Sequence, residues 1–223
     1  MSAERGRASQ RVWLFDLDDT LHHASHQIFA ALGLAMNDYM VRHLGLEPGH
    51  AAQLRQRYWQ RYGATLLGLV RHHQVSASHF LDETHALPQL EAWLRASRPD
   101  LAWLRRLPGR KILLTNAPQR YAHRVLQALD IAHCFERVLT VEQMRMFGQL
   151  RPKPDARMFR HVCARLKLPP SRCILVEDSV GHLKSVRSLN MGTVWMRGWM
   201  TRSSHGRPPY VGHLVRRLNK LRL

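Results

Sequence analysis

The sequence is poor in cysteine, in lysine, in acidic residues and in long apolar runs. The scarcity of cysteine and the scarcity of long apolar runs each exclude a class of protein. Three cysteines, Cys134, Cys163 and Cys173, are too few and too scattered for a disulfide framework or a CxxC metal site. The apolar runs, such as residues 66–70, are too short to span a bilayer. No apolar stretch as long as that of a secretory signal follows the polar, basic segment 1–11, so we expect a cytoplasmic protein without a secretory signal or a membrane partner.

The charge is strongly one-sided. Thirty-four lysines and arginines stand against 16 acidic residues, which gives a net charge of +18. Such a charge attracts nucleotides, nucleic acids or acidic surfaces. The basic residues are dispersed, however, with no dense run and no interleaved aromatic pattern. This dispersal favours solvated helix faces over a dedicated nucleic-acid site.

The order of patterns along the chain predicts two domains. Residues 1–10 are typical of a flexible tail, and the apolar residues 12–15 predict a buried strand. Helical spacing then dominates until a Pro-Gly pair at 108–109. We therefore predict an α/β core domain over 11–22 and 108–223, with a small helical cap domain over 23–107 inserted after the first strand.

After residue 109 the patterns of strand and helix alternate. Short apolar runs predict strands at 111–114, 138–139, 173–176 and 193–196, and amphipathic stretches predict helices at 118–129, 154–166 and 180–189. Such alternation indicates a Rossmann-like parallel sheet flanked by helices. Residues 210–223 predict a further basic, amphipathic helix packed on the core.

Polar side chains follow three of the predicted strands: Asp16 and Asp18, Thr115 and Asn116, and Glu177 and Asp178. Ligands of parallel α/β sheets collect beyond the carboxyl ends of the strands, so these side chains are candidates for one site. Each pair also has a simpler interpretation as turn or helix-cap chemistry, which the sequence alone leaves open.

The chemistry of these side chains points to an anion and a metal. Asp16 and Asp18 are two residues apart on an extended chain and point to the same side, so one can attack an electrophile while the other moves protons. Several acids at one edge repel each other unless a hard cation such as Mg²⁺ binds them. Lys153, between two prolines, is either an ordinary surface lysine or a fixed ammonium that bridges the nucleophile and a phosphate.

Together these motifs resemble those of the haloacid dehalogenase-like hydrolase superfamily, in the same order. Residues 16–20, Asp-Leu-Asp-Asp-Thr, match its first motif DxDxT. Thr115 with Asn116 matches the second motif, Lys153 the third, and Glu177 with Asp178 the fourth. Segments 13–21, 62–69 and 114–118 are most similar to the pyrimidine 5'-nucleotidase branch, and the helical insertion corresponds to the small cap.

The resemblance implies a magnesium-dependent phosphatase. Asp16 would be the nucleophile that forms an aspartyl-phosphate, and Asp18 would transfer protons. Mg²⁺ would be held by the Asp16 carboxylate, the Asp18 backbone carbonyl and Asp178. Glu177 would be either a fourth ligand or a hydrogen-bonding partner of the ligands. The Thr115 hydroxyl, the Asn116 backbone and the Lys153 ammonium would hold the phosphate.

The cap would select the substrate, for which a nucleoside 5'-monophosphate is the first expectation. Tyr62, Thr65 and His72, with Tyr58, are candidates for contacting a base or sugar, although aromatic residues more often serve helix packing. A phosphatase or phosphomutase for a sugar phosphate or another small phosphoester is the alternative, and a basic nucleic-acid-binding protein is disfavoured. The group His22, His23 and His26 lacks a zinc-binding pattern. The sequence does not indicate an oligomeric state.

Overall fold

The computed structural model describes residues 11–199 and 206–221. The predicted tail, residues 1–10, and the last two residues of the predicted C-terminal helix lie outside this range. The described chain forms a parallel sheet with helices packed against it, which confirms the predicted fold class. In the part of the chain that the structure describes, none of the helices combines the length and the apolar character that crossing a bilayer requires.

The main sheet has six parallel strands with the first strand near its middle. The strands in chain order are β1 (Val12–Phe15), β2 (Arg110–Leu114), β3 (Arg137–Leu139), β4 (Arg145–Met146), β5 (Gln149–Leu150), β6 (Cys173–Glu177), β7 (Gly192–Met196) and β8 (His213–Val215). The spatial order is β3-β2-β1-β6-β7-β8, while β4 and β5 form a separate antiparallel hairpin. The chain order reverses on the two sides of β1, and ligands bind outside the carboxyl ends of strands at such a position.

The helices fall into two groups, one between β1 and β2 and one between the later strands. The first group is α1 (Ile28–Leu44), α2 (Pro48–Tyr62), α3 (Thr65–His73), α4 (Ala77–Thr84), α5 (Leu90–Trp93) and α6 (Arg98–Arg106). The second is α7 (Gln119–Ala128), α8 (Ala156–Arg165) and α9 (Val180–Ser185). Side-chain caps fix some helix starts: Ser97 accepts from the backbone of Asp100 at α6, and Asp155 accepts from that of Arg157 at α8.

Strand β1 is buried on both faces. Its four side chains alternate, so that Trp13 and Phe15 pack in one apolar cluster and Val12 and Leu14 pack in another. This alternation is what an apolar run without helical spacing produces in a central strand. Because β1 pairs with both β2 and β6, the residue after β1 lies between the ends of two neighbouring strands.

Helices α1 to α4, the cap helices, pack around an apolar cluster of their own, which includes Tyr39, Met40, Tyr58, Leu69 and Phe80. A cluster of the sheet includes Leu90, Leu101 and Leu104 from the segment that contains α5 and α6, and also Ile28 and Leu32 from the start of α1. The cap boundary predicted at residue 107 stays a prediction.

The C-terminal prediction of a helix over 210–223 was wrong for the described residues. His213–Val215 instead forms β8, which pairs in parallel with β7, and a single 3₁₀ turn follows at Leu218–Lys220. The sheet edge explains the difference, because the backbone of β7 requires hydrogen-bond partners that a helix does not provide. The apolar residues Val215 and Leu218 are buried against the sheet, as predicted for this segment.

Candidate active site

The predicted site residues at three strand ends and Lys153 meet at one edge of the sheet. The Lys153 ammonium donates to Asp16 Oδ1 at 2.6 Å and to Glu177 Oε2 at 2.8 Å. The lysine side chain is 1% exposed. A lysine this deeply buried retains its charge only when carboxylates compensate it, and here two carboxylates do so.

The backbone on both sides of the cluster is held in place. The amide of Asp16 donates to the carbonyl of Val176 at 3.0 Å, which ties the end of β1 to the end of β6. The side chain of Asn116 forms a reciprocal pair with the backbone of Lys153: its Nδ2 donates to the Lys153 carbonyl at 2.9 Å, and its Oδ1 accepts from the Lys153 amide at 2.9 Å. Asn116 thus fixes the lysine, while its own backbone remains at the end of β2.

Three carboxylates of the cluster form a donor set for a hard cation. One oxygen of each of Asp16, Glu177 and Asp178 lies within 4.8 Å of the others. Burial, with the negative charge of Glu177, raises the pKa of Asp16 to about 6 and that of Asp178 to about 10. Crowded, buried carboxylates with raised pKa values ionise fully when a cation joins them, so the residues present fit Mg²⁺.

Glu177, one of the three carboxylates of this donor set, forms a charged pair with Lys153. Burial alone would raise the pKa of Glu177, but Lys153 and His182 lower it well below the usual value. Burial alone would lower the pKa of Lys153, but Asp16 and Glu177 raise it above the usual value. His182 Nδ1 lies 3.0 Å from Glu177 Oε2, the same oxygen that accepts from Lys153. The amide of Ser179 donates to the other oxygen, Oε1, at 3.1 Å. Glu177 is therefore ionised and held by protein groups on both oxygens.

Asp18 is held by two neighbours. The Tyr121 hydroxyl donates to Asp18 Oδ1 at 2.6 Å, and His22 Nε2 lies 2.9 Å from the same oxygen. Tyr121 comes from α7, and its burial, with the charge of Asp18, raises its pKa well above the usual value. Asp18 is thus oriented through one carboxylate oxygen by residues from two separate parts of the chain.

Thr115 completes the edge at the end of β2. Its side chain is buried and its Oγ1 accepts from the amide of Ala117 at 3.0 Å. Its backbone amide donates to the carbonyl of Leu139 in β3 at 3.0 Å. The hydroxyl proton of Thr115 is therefore available to an acceptor in the cavity above.

A cavity of about 680 Å³ lies between this polar edge and the cap helices. The sheet side presents the charged groups described above. The cap helices contribute mainly apolar side chains, including Phe29, Leu32, Met36, Trp59 and Leu66. Among the described residues, Arg55 of α2 is the permanently charged side chain that the cap helices add to the lining. The cavity therefore has a floor of carboxylates with Lys153, and an apolar roof that carries the guanidinium of Arg55.

The cap residues that the sequence suggested for substrate contact differ in whether they line the cavity. Thr65 lines the cavity, and its hydroxyl donates to the carbonyl of Arg55 at 3.2 Å. Tyr62 and His72 are absent from the described lining and pair with each other, with 2.6 Å between the tyrosine hydroxyl and His72 Nε2. Tyr58 is buried in the cap cluster.

Four residues that line the cavity or contact its carboxylates were missed by the sequence analysis: Arg55, His85, Tyr121 and His182. His85 lines the cavity, and burial lowers its pKa to about 4, so it is neutral at physiological pH. Each of the four lies on or beside a helix that carries no recognisable motif. The sequence does not show which helical residues will pack beside the motif residues in the folded protein.

Comparison with known proteins identifies a matching family and structures with a similar fold. The haloacid dehalogenase-like hydrolase family matches residues 11–190. Phosphate metabolism protein 8 of Saccharomyces cerevisiae is 24% identical over 199 residues, which are 83% of this chain and 61% of that protein. The chain thus spans about three fifths of the length of that yeast relative.

Two further comparisons cover most of the chain. Phosphoglycolate phosphatase of Pseudomonas fluorescens is 26% identical over 211 residues, which are 89% of this chain and 72% of that enzyme. The crystal structure of the HAD phosphatase from Thermococcus onnurineus superposes with a TM-score of 0.62 at 19% identity, and covers 94% of both chains. The structural likeness shows the shared fold.

Proposed function

Because the chain belongs to the haloacid dehalogenase-like hydrolase family, we propose that it hydrolyses small phosphate monoesters through a covalent intermediate on Asp16. The observation that carries the proposal is the contact of Asp16 with Lys153 inside a cluster of carboxylates. A buried ammonium holds one oxygen of Asp16, and this arrangement orients the carboxylate towards a bound phosphorus.

The first half of the reaction transfers the phosphoryl group to the protein. A carboxylate oxygen of Asp16 attacks phosphorus, the bond from phosphorus to the ester oxygen breaks, and the leaving oxygen takes a proton from Asp18. The second half releases phosphate: Asp18 accepts a proton from water, whose oxygen attacks phosphorus and breaks the bond to Asp16. Lys153 and the Thr115 hydroxyl stabilise the negative charge on the phosphoryl oxygens.

Mg²⁺ is the cofactor that this donor set fits. Asp16, Asp178 and the backbone carbonyl of Asp18 would hold it, and Glu177 would support the site. The ion would supply positive charge that offsets the repulsion between the carboxylates and the phosphate dianion. A second acid at position 18 and the acid at position 178 favour phosphoryl transfer over displacement at a carbon–halogen bond.

A nucleoside 5'-monophosphate is the first candidate substrate. Phe29 is 44% exposed and Trp59 is 62% exposed, and both line the cavity opposite the carboxylates. Exposed aromatic rings favour stacking of a planar base. The cavity of about 680 Å³ also accommodates a ligand of nucleotide size.

A sugar phosphate or a small phosphorylated acid is the second candidate. Arg55 places a guanidinium in the cavity, and a guanidinium pairs well with a carboxylate or a second phosphate. Several curated relatives are phosphoglycolate phosphatases, whose substrate by name carries such a group. Within this candidate, Arg55 favours a compact substrate with two anionic ends.

A panel of phosphate monoesters, assayed for released phosphate with Mg²⁺ and with EDTA, tests both the reaction and the substrate. UMP and CMP should be hydrolysed faster than sugar phosphates and phosphoglycolate if the first candidate is correct, and the reverse order would support the second. Asp16→Asn should reduce turnover by at least about 10³-fold, because the nucleophile is lost.

Asp38→Asn is the matched control, since Asp38 is exposed on α1. It should retain wild-type turnover. Turnover by Asp16→Asn at the wild-type rate would exclude the covalent route, and full activity in EDTA would exclude the requirement for Mg²⁺.

A further inference from the structure

Three metal-binding side chains lie together on the cap helices, apart from the active-site cavity. His43 is near the end of α1, and His79 and Glu83 are one turn apart on α4. One ligand atom of each lies within 4.8 Å of the others. None of the three belongs to the described lining of the cavity. The cluster is therefore separate from the residues proposed for hydrolysis.

The two imidazoles converge on one carboxylate oxygen. His79 Nε2 lies 2.8 Å from Glu83 Oε1, and His43 Nε2 lies 3.1 Å from the same oxygen. The spacing of four residues places His79 and Glu83 on the same face of α4. The side chains are 34%, 51% and 28% exposed for His43, His79 and Glu83, so an ion can reach them from solvent.

A buried neighbour fixes the ring of His79. The Tyr39 hydroxyl lies 2.9 Å from His79 Nδ1, and Tyr39 is 3% exposed. Histidines that bind metals usually donate the proton of their second ring nitrogen to an oxygen of the protein. In the tautomer that directs the Nδ1 proton at the Tyr39 oxygen, the Nε2 atom, which faces Glu83, has its lone pair available to a metal.

We propose that His43, His79 and Glu83 bind a zinc ion that links α1 to α4. Two imidazole nitrogens and one carboxylate oxygen form a donor set that suits Zn²⁺ better than Mg²⁺, which prefers oxygen ligands. Three protein ligands leave a fourth position for water. Binding would join two of the cap helices and stabilise the folded cap relative to the unfolded chain.

Arg42 opposes this site and provides a sharp test of it. Its guanidinium donates to Glu83 Oε2 at 2.9 Å and lies 3.4 Å from His43 Nε2. A bound cation would be repelled by this charge, and Arg42, at 57% exposed, is free to turn into solvent. Arg42→Ala should therefore tighten zinc binding about two- to tenfold, although it removes an ion pair from the metal-free protein.

Isothermal titration of the full chain with Zn²⁺, in buffer that contains excess Mg²⁺ to occupy the active-site carboxylates, measures the site directly. His43→Ala, His79→Ala and Glu83→Gln should each weaken binding by at least about tenfold. Tyr39→Phe, which removes only the hydroxyl, should weaken it by about tenfold. His50→Ala, at an exposed histidine of α2 without a described partner, is the matched control and should bind like the wild type.

Thermal unfolding with and without Zn²⁺ supplies a second measurement. Zinc should raise the Tm of the wild type and of His50→Ala, and should leave the Tm of the His43→Ala/His79→Ala double variant unchanged. Equal zinc affinity in the double variant and the wild type would overturn the proposal, as would weaker binding by Arg42→Ala. Neither result would bear on phosphate release by the Mg²⁺-loaded active site.

Discussion

Asn116 and Lys153 lie 37 residues apart in sequence and are joined by two hydrogen bonds of 2.9 Å each between the Asn116 side chain and the Lys153 backbone. An amide side chain is suited to this contact because it donates and accepts at once, as a peptide group does. The end of β2 therefore positions the lysine that contacts Asp16, and in the proposed reaction Asn116 would act through Lys153.

Substituting Asn116 by Ala should lower kcat by about 10²-fold, because the ammonium of Lys153 would lose its fixed place next to Asp16. KM should change less than kcat, since the phosphate would still meet the Thr115 hydroxyl and the lysine charge. Steady-state kinetics with the best substrate of the panel measure both values, and circular dichroism checks the fold. A wild-type kcat in Asn116→Ala would show that the backbone of Lys153 is fixed by other contacts.

The polar edge of the sheet was predictable because it depends on local patterns and one topological rule. Asp16, Thr115 and Glu177 each end an apolar run, and parallel strands bring such ends together. Lys153 follows no such rule. From the residues alone its contact with Asp16 was one of two interpretations, and the family resemblance added a role in phosphate binding. In the structure the Asn116 side chain holds the Lys153 backbone, and the ammonium contacts Asp16.

The cap and the C-terminus were less predictable for physical reasons. Helical spacing shows which face of a helix is apolar, but the apolar faces of the cap helices pack both in the cap cluster and along the cavity. The pattern therefore does not show that Tyr62 packs against the cap cluster while Arg55, on the same helix, lines the cavity. At the C-terminus, the spacing of Val211, Val215 and Leu218 fits a helix. The unpaired edge of β7 determines the outcome, and this edge is a property of the assembled sheet.

Gly68 should be required for the packing of α3 against α2. A Cβ at this position would overlap the ring of Tyr58, which is buried in the cap cluster. Gly68→Ala should therefore destabilise the protein by about 1–3 kcal/mol, although alanine normally favours a helix. Gly49→Ala in α2, where a Cβ meets nothing within 4 Å, is the matched control and should leave stability equal or slightly higher. Urea unfolding measures both, and equal stability of the two variants would contradict the packing.

The buried imidazole of His85 should make the protein less stable in acid. Its pKa is lowered by burial to about 4, whereas an unfolded histidine has a pKa of about 6.5. Between these values the unfolded chain binds more protons than the folded protein, so the free energy of unfolding falls as pH falls through this window. His85→Gln removes the effect and should lose about 1–3 kcal/mol less stability than the wild type between pH 7 and pH 4.5.

Urea unfolding at several pH values measures this difference, with His50→Gln as the control for an exposed histidine. The control should follow the wild type at every pH. Parallel curves for His85→Gln and the wild type would mean that His85 is protonated in the folded protein at the same pH as in the unfolded chain.

Arg55 should distinguish substrates by their second charge. Its guanidinium lines the cavity and donates to Asn37 Oδ1 at 3.0 Å, which holds it on the inner side of α2. Arg55→Gln should raise KM for phosphoglycolate by about 10–100-fold, because a charge-assisted hydrogen bond to the carboxylate would be lost. KM for p-nitrophenyl phosphate, which has no second anionic group, should stay within about twofold of the wild type.

Arg57→Gln is the matched control, since Arg57 is exposed on the same helix and does not belong to the described lining. It should leave both KM values unchanged. If Arg55→Gln raises KM for both substrates equally, the guanidinium must act on the phosphate common to them, and the recognition of a second anionic group would be refuted. If neither value changes while UMP remains the best substrate, the aromatic roof formed by Phe29 and Trp59 is left as the determinant of specificity.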